Sequence, residues 1–93
     1  MSEITTKSKI IADVLSFENG MEHYDHVNRI RLNSKDYKLL IMSDYIPMIG
    51  ELKGDMIITM DDGTEKLYSN IHGFYRHAHN EFEFILKGKI NAQ

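Results

Sequence analysis

The stretch Glu81-Phe82-Glu83-Phe84-Ile85-Leu86 decides the fold. In a β-strand successive side chains point to opposite faces, so Phe82, Phe84 and Leu86 share one side and both acids take the other. A helix would scatter the two aromatics, so the stretch predicts a half-buried strand. The same alternation places Asn28, Ile30 and Leu32 opposite Val27, Arg29 and Arg31. Met56-Ile57-Ile58-Thr59-Met60 is rich in β-branched residues and runs into Asp61-Asp62-Gly63-Thr64, a hairpin signal with Glu65 to Ser69 returning. Polar punctuation recurs at Glu18-Asn19-Gly20, Asn33-Ser34-Lys35-Asp36, Lys53-Gly54-Asp55 and His77-Ala78-His79-Asn80. About nine short strands, with turns every eight to twelve residues, predict an antiparallel sandwich or barrel. No twelve-residue window offers a capped amphipathic helix. The fold class is all-β.

Ninety-three residues make one domain. Size scaling allows a chain this long to bury about 65% of its unfolded surface, enough for one modest core. Residues 1–8 read as a flexible polar segment and 9–93 as the folded unit. Cysteine is absent, which removes disulfides, thiolate metal sites and a Cys nucleophile. A net charge of −3 leaves no electrostatic footprint for nucleic acid. The longest apolar run, Leu39-Leu40-Ile41-Met42, is far too short to span a membrane as a helix. The N-terminus has no apolar core of a secretory signal, so a cytoplasmic location is expected.

Candidate chemistry is sparse. Among five histidines, His72, His77 and His79 lie close in sequence and could join a carboxylate around zinc. The competing reading is solvated turn histidines, because no fixed ligand motif is present. Asp61-Asp62 and Glu81/Glu83 are paired carboxylates on a turn and on a wet strand face, without the pocket that acid–base work requires. Phosphate-binding glycine loops and nucleophile elbows are absent, so no catalytic residue and no cofactor are expected. The segment Ser43-Asp44-Tyr45-Ile46-Pro47-Met48-Ile49 is an apolar loop around the only proline. Such a loop either closes a core or faces a partner.

From Lys9 to Lys87 these features, in this order, resemble the N-terminal β-sandwich domain of the epsilon subunit of F-type ATP synthases. Phe17-Glu18-Asn19-Gly20 echoes the family's Pro-Glu-Gly turn, and Val27-Asn28-Arg29-Ile30-Arg31-Leu32 its Val-x-x-Val-x-Leu strand. Ile41-Met42-Ser43-Asp44-Tyr45-Ile46-Pro47-Met48 is similar to Ile-Leu-Pro-x-His-x-Pro-Leu, Leu52-Lys53-Gly54 to Leu-Lys-Pro-Gly, and His72-Gly73-Phe74 to Gly-Gly-Phe. The resemblance implies a ten-stranded sandwich on the central stalk of a rotary ATPase, peripheral to the membrane in a complex that also holds alpha and beta subunits. It would be a non-catalytic rotor part that binds the foot of the gamma subunit, while ATP synthesis and proton transport belong to the assembly. By that resemblance Met42, Tyr45, Ile46, Pro47 and Met48 are gamma-interface candidates. Lys35, Asp36, Tyr37 and Lys38 occupy the turn that would face the c-ring. The family's turn is acidic and carries a glycine, whereas this one is partly basic, which suits either a specialised F1-like ATPase with another output partner or a compensating change in the ring. The chain stops at Gln93, after the last expected strand and without the family's C-terminal helical hairpin, so it is expected to be either a protein of the sandwich alone or a fragment. The alternative is a free-standing sandwich that binds a metal or small ligand through His72, His77 and His79.

Overall fold

The computed structural model describes residues 8–89, so most of the segment expected to be flexible (1–8) lies outside the described residues. Six strands follow in order: β1 (Ile10–Ser16), β2 (Gly20–Ser34), β3 (Lys38–Met42), β4 (Met48–Met60), β5 (Glu65–Ala78) and β6 (Glu81–Lys89). They neighbour one another as β1-β6-β5-β4-β2-β3, and β1 also pairs with β2. That extra pairing closes β1, β6, β5, β4 and β2 into a five-stranded barrel, with β3 appended to β2. The all-β class holds. No helix among the described residues is long and apolar enough to cross a membrane.

Two details differ from the sequence reading. The nine or ten short strands run together as six longer ones, because several polar interruptions are bulges or kinks within strands. At Lys53-Gly54-Asp55 the β4–β5 register slips between Gly54 and Met56, yet the ladder continues on both sides. Glycine is required there, because a Cβ at Gly54 would strike the Asn33 carbonyl of β2. Ser69-Asn70 bends β5 at a left-handed residue, Asn70 with φ 58°, and Asp25-His26 bends β2 at His26 with φ 51°. Such single departures re-aim a strand without ending it. The second detail is direction. Five pairings are antiparallel, but β1 and β6 run parallel, Ile11 to Ser16 beside Glu81 to Leu86. A closed ring with an odd number of strands cannot alternate direction all the way round, so at least one neighbouring pair must be parallel.

The core follows the period of two. Phe82 and Phe84 are buried with Ile10, Ala12, Val14, Leu52, Met56 and Ile58, and Leu86 packs against them. Ile30 and Leu32 point inward as expected. Val27 is buried too, because the β2–β4 register slips between Val27 and Arg29 and resets the phase. The Asp61–Thr64 hairpin forms, with Met60 N–H donating to the Thr64 carbonyl at 2.8 Å and Asp62 accepting from Thr64 N–H at 2.9 Å. Between β5 and β6 the turn shrinks to His79-Asn80, with φ 52° and 63°. Positive φ at both central residues is the geometry whose twist matches a two-residue hairpin.

Candidate interaction surface

On the outward side of a barrel the alternating positions are normally polar. Here the register lines up apolar residues across four strands. Met21 pairs with Leu15, Leu15 with Ile85, and Ile85 with Phe74. All four are 42–59% exposed. The adjacent row runs His23, Asp13, Glu83, Arg76 and Ile49, each paired with the next, and Ile49 is 80% exposed. Between the rows lies an open groove of about 400 Å³, with Tyr75 and Phe84 at its base. A shallower depression bounded by Pro47 and Met48 shares Ile49 and Arg76 with this groove. The apolar surface is therefore a belt from the proline loop to Met21.

Most charges along the belt are paired, and Lys87 Nζ lies over the Phe74 ring, 5.6 Å from its centroid. Arg76 Nε lies 3.4 Å from Glu83 Oε1. His23 sits between two acids, with Nδ1 2.5 Å from Asp13 and Nε2 3.0 Å from Asp25, and these hydrogen bonds hold its pKa above the usual histidine value. His72 Nε2 lies 2.6 Å from Glu51 Oε2, which holds the Glu51 carboxyl below the usual carboxylate range. Paired charges are partly satisfied before any partner arrives, so the apolar residues dominate what the belt offers.

Of the loop residues expected at an interface, Met42, Ile46 and Pro47 are exposed, while Tyr45 and Met48 are half-buried and pack on the core. The loop both closes the barrel and presents a surface. It is fixed from outside: Asp44 N–H donates to Asn80 Oδ1 at 2.7 Å, and Asn80 Nδ2 donates back to Asp44 at 3.1 Å. Lys9 adds an ion pair to Asp44 at 3.5 Å, and together these keep the Asp44 carboxyl low. In the other expected turn Lys35, Asp36 and Lys38 are exposed, whereas Tyr37 turns inward. The Tyr37 hydroxyl donates to the Glu51 carbonyl at 2.6 Å and meets the Tyr75 hydroxyl at 3.0 Å.

The structure does not bring the histidine trio together. His72 and His77 lie on opposite faces of β5, and His79 occupies the exposed turn. Among the described residues no three His, Cys, Asp or Glu side chains are grouped to hold a metal ion. His77 is instead a core residue, fully buried beside Phe82 with no partner among the described residues for either ring nitrogen, and burial pushes its pKa down.

Sequence reasoning missed the belt outside the proline loop. A signal was present: its members are apolar residues in the polar phase of alternating strands. Ile85 shares its phase with Glu81 and Glu83, Leu15 with Asp13, Phe74 with His72 and Arg76, and Ile49 with Glu51 and Lys53.

No family model matches the sequence, and no curated protein does. The fold has counterparts among solved structures. One is a chain of the Euglena gracilis mitochondrial ATP synthase, in its OSCP/F1/c-ring assembly, with a TM-score of 0.73 at 11% identity over 91% of this chain. Another is a chain of the central stalk/c-ring assembly of the Tetrahymena thermophila mitochondrial ATP synthase, with a TM-score of 0.64 at 18% identity over 89% of this chain. The present chain spans 54% and 66% of those two chains. At such identities the likeness is one of fold, and this chain has the fold of components from two ATP synthase assemblies.

Proposed function

We propose that this chain is a non-catalytic central-stalk subunit of an F-type or F1-like rotary ATPase. It binds the foot of a gamma subunit, turns with it, and passes the rotation to the membrane ring or another output partner. The observation that carries this reading is the fold shared with chains of ATP synthase assemblies, which agrees with the order of motifs along the sequence. The apolar belt supports it. A monomer rarely leaves such a continuous apolar strip wet, and each large side chain removed from water contributes about 1.5–3 kcal/mol before the costs of association. Ile46 and Pro47 begin the gamma surface in this reading, with Met42 beside them, and Ile49, Phe74, Ile85, Leu15 and Met21 continue it. Tyr45 and Met48 support the loop from the core. Lys35, Asp36 and Lys38, on a turn anchored by Tyr37, face the ring or other output partner. The chain would then be peripheral to the membrane through the assembly and would need no cofactor of its own.

A rotor adapter must transmit torque without deforming, and a closed barrel with a latched loop is suited to that. The test is affinity capture of the chain from its native lysate at moderate salt, with mass spectrometry of what is retained. Gamma-, alpha- and beta-like ATPase subunits are expected together. Recovery of the chain without them overturns the reading.

A further inference from the structure

We propose that β3 and the outer face of β2 form a second docking surface, which takes an extended, acidic segment of a partner protein as an added strand. The surface shares Met42 and Lys38 with the gamma and output faces of the rotor reading, lies apart from the row of Leu15, Met21, Phe74 and Ile85, and does not depend on that reading.

Three observations carry it. First, β3 ends the strand order and pairs only with β2. Beyond that ladder, its backbone hydrogen bonds among the described residues reach only the neighbouring turn, from Tyr45 N–H to the Met42 carbonyl. The far edge of Leu39-Leu40-Ile41 therefore keeps unpaired N–H and C=O groups, which an incoming strand would satisfy. Proteins usually blunt such an edge by keeping it short or with proline, a bulge or charge. β3 is short and opens on Lys38, but its next three residues are apolar.

Second, the outward positions beside that edge are cationic. Lys38, Leu40 and Met42 on β3 lie opposite Asn33, Arg31 and Arg29 on β2. Among the described residues none of Lys38, Arg31 and Arg29 has a carboxylate within ion-pair distance, and the Arg29 guanidinium donates to the neutral Asn28 side chain at 2.8 Å. Asp61 is one amide removed from Arg29, accepting from Asn28 Nδ2 at 3.5 Å, and Asp55, across β2 from Asn33, already accepts the Asn70 N–H. Third, the chain carries a net charge of −3, so three cations gathered along one sheet edge run against its overall sign.

Together these describe the occupant. A strand beside β3 would alternate its side chains between two neighbours. One side would lie next to Leu39 and Ile41 and favour apolar residues. The other would lie next to Lys38, Leu40 and Met42, within reach of Arg31 and Arg29, and favour carboxylates. The length of β3 limits the segment to about five paired residues, given the rise of a strand. A phosphate surface would neutralise the cations but leave the edge amides and carbonyls unpaired, so a peptide is favoured over lipid or nucleic acid.

The probe is a capped seven-residue peptide alternating valine and aspartate, titrated into the isotopically labelled full chain. Its control alternates valine and lysine. Chemical-shift changes and slowed amide exchange centred on Leu39–Met42 are expected with the acidic peptide only. The double variant Arg29→Glu/Arg31→Glu should weaken binding about tenfold, and Arg29→Gln/Arg31→Gln by less, since close charge pairs across an interface add affinity beyond the backbone ladder. Unchanged melting of both variants shows that the loss is not unfolding. Equal binding of the two peptides, shifts confined to the apolar belt, or binding only to phosphatidylserine vesicles or oligonucleotides would each overturn the proposal.

Discussion

The two outward surfaces of this barrel solve opposite problems on one scaffold. Along β1, β6 and the second half of β5, acids meet bases of the same chain, Asp13 and Asp25 with His23, Glu83 with Arg76 and Glu51 with His72. What that surface leaves unsatisfied is apolar. Along β2 and β3 the apolar core side is covered, while among the described residues Arg29, Arg31 and Lys38 have no ion-pair partner and the outer edge of β3 pairs with no strand. The first surface offers area and shape, the second charge and direction. Contacts driven by apolar area respond weakly to salt, whereas exposed charge pairs are screened over a Debye length of about 8–10 Å at physiological ionic strength. Salt therefore distinguishes the two without any mutation.

The largest expected effect is on the belt. Ile85→Asp places a charge in the middle of the apolar row, where a gamma-type partner would bury it without a counter-ion. Binding in the reconstituted complex, read by calorimetry, should fall at least about a hundredfold, since an uncompensated buried charge costs several kcal/mol. Ile46→Asp, at the end of the belt, should cost less. Because both side chains are already exposed, the isolated chain should melt within a few degrees of wild type. Unfolding by either variant would return those residues to a structural role.

Next is the support beneath the belt. A Cβ at Gly73 would collide with the Ile85 carbonyl and press on the Phe84 ring. Gly73→Ala should destabilise the fold by about 2 kcal/mol, the usual scale of overpacking, measured by urea unfolding. A change below about 0.5 kcal/mol would show that β5 and β6 adjust around Gly73 without strain.

Smaller effects separate the two histidines. His77→Leu replaces a buried imidazole without partners by an apolar group of similar reach, and should stabilise by about 1 kcal/mol. The wild type should also lose stability as pH falls below about 6.5, because the unfolded chain takes up a proton at this position that the folded core excludes. His77→Leu should flatten that acid limb. His23 acts with the opposite sign. Its pKa is raised by Asp13 and Asp25, so its contribution is complete below about 6.5 and fades as pH rises through its folded value. His23→Gln should remove that alkaline fading and leave the acid limb in place. Urea midpoints between pH 5 and pH 8 for the three proteins check both signs.

Much of the fold was legible because strand alternation is local. Phe82 and Phe84, Ile30 and Leu32, and the Asp61–Thr64 hairpin each follow from a few adjacent residues. The expected break at Lys53-Gly54-Asp55 failed for the same reason, and the returning strand expected to end at Ser69 runs on through Asn70 to Ala78. Glycine and asparagine mark a turn and a bulge with the same chemistry, and only the neighbouring ladder shows which has formed. The candidate surface was less legible still. Met42, Ile46 and Pro47 were visible as an apolar loop, but Leu15, Met21, Phe74 and Ile85 become one row only through pairing across four strands. His77 was grouped with His72 by proximity, although an odd spacing along one strand sends the two side chains to opposite faces.

By itself the sequence determined the all-β class, the inward side of most strands and the lack of thiol chemistry, since all depend on composition or a period of two. Tertiary structure decided the remainder. Strand parity required a parallel pair to close the ring, and bulges reset which residues face inward. Cross-strand register selected which apolar residues form a wet belt and which cations remain unpaired. Those outcomes depend on partners distant along the chain, and no local pattern specifies which distant strand a given strand will meet.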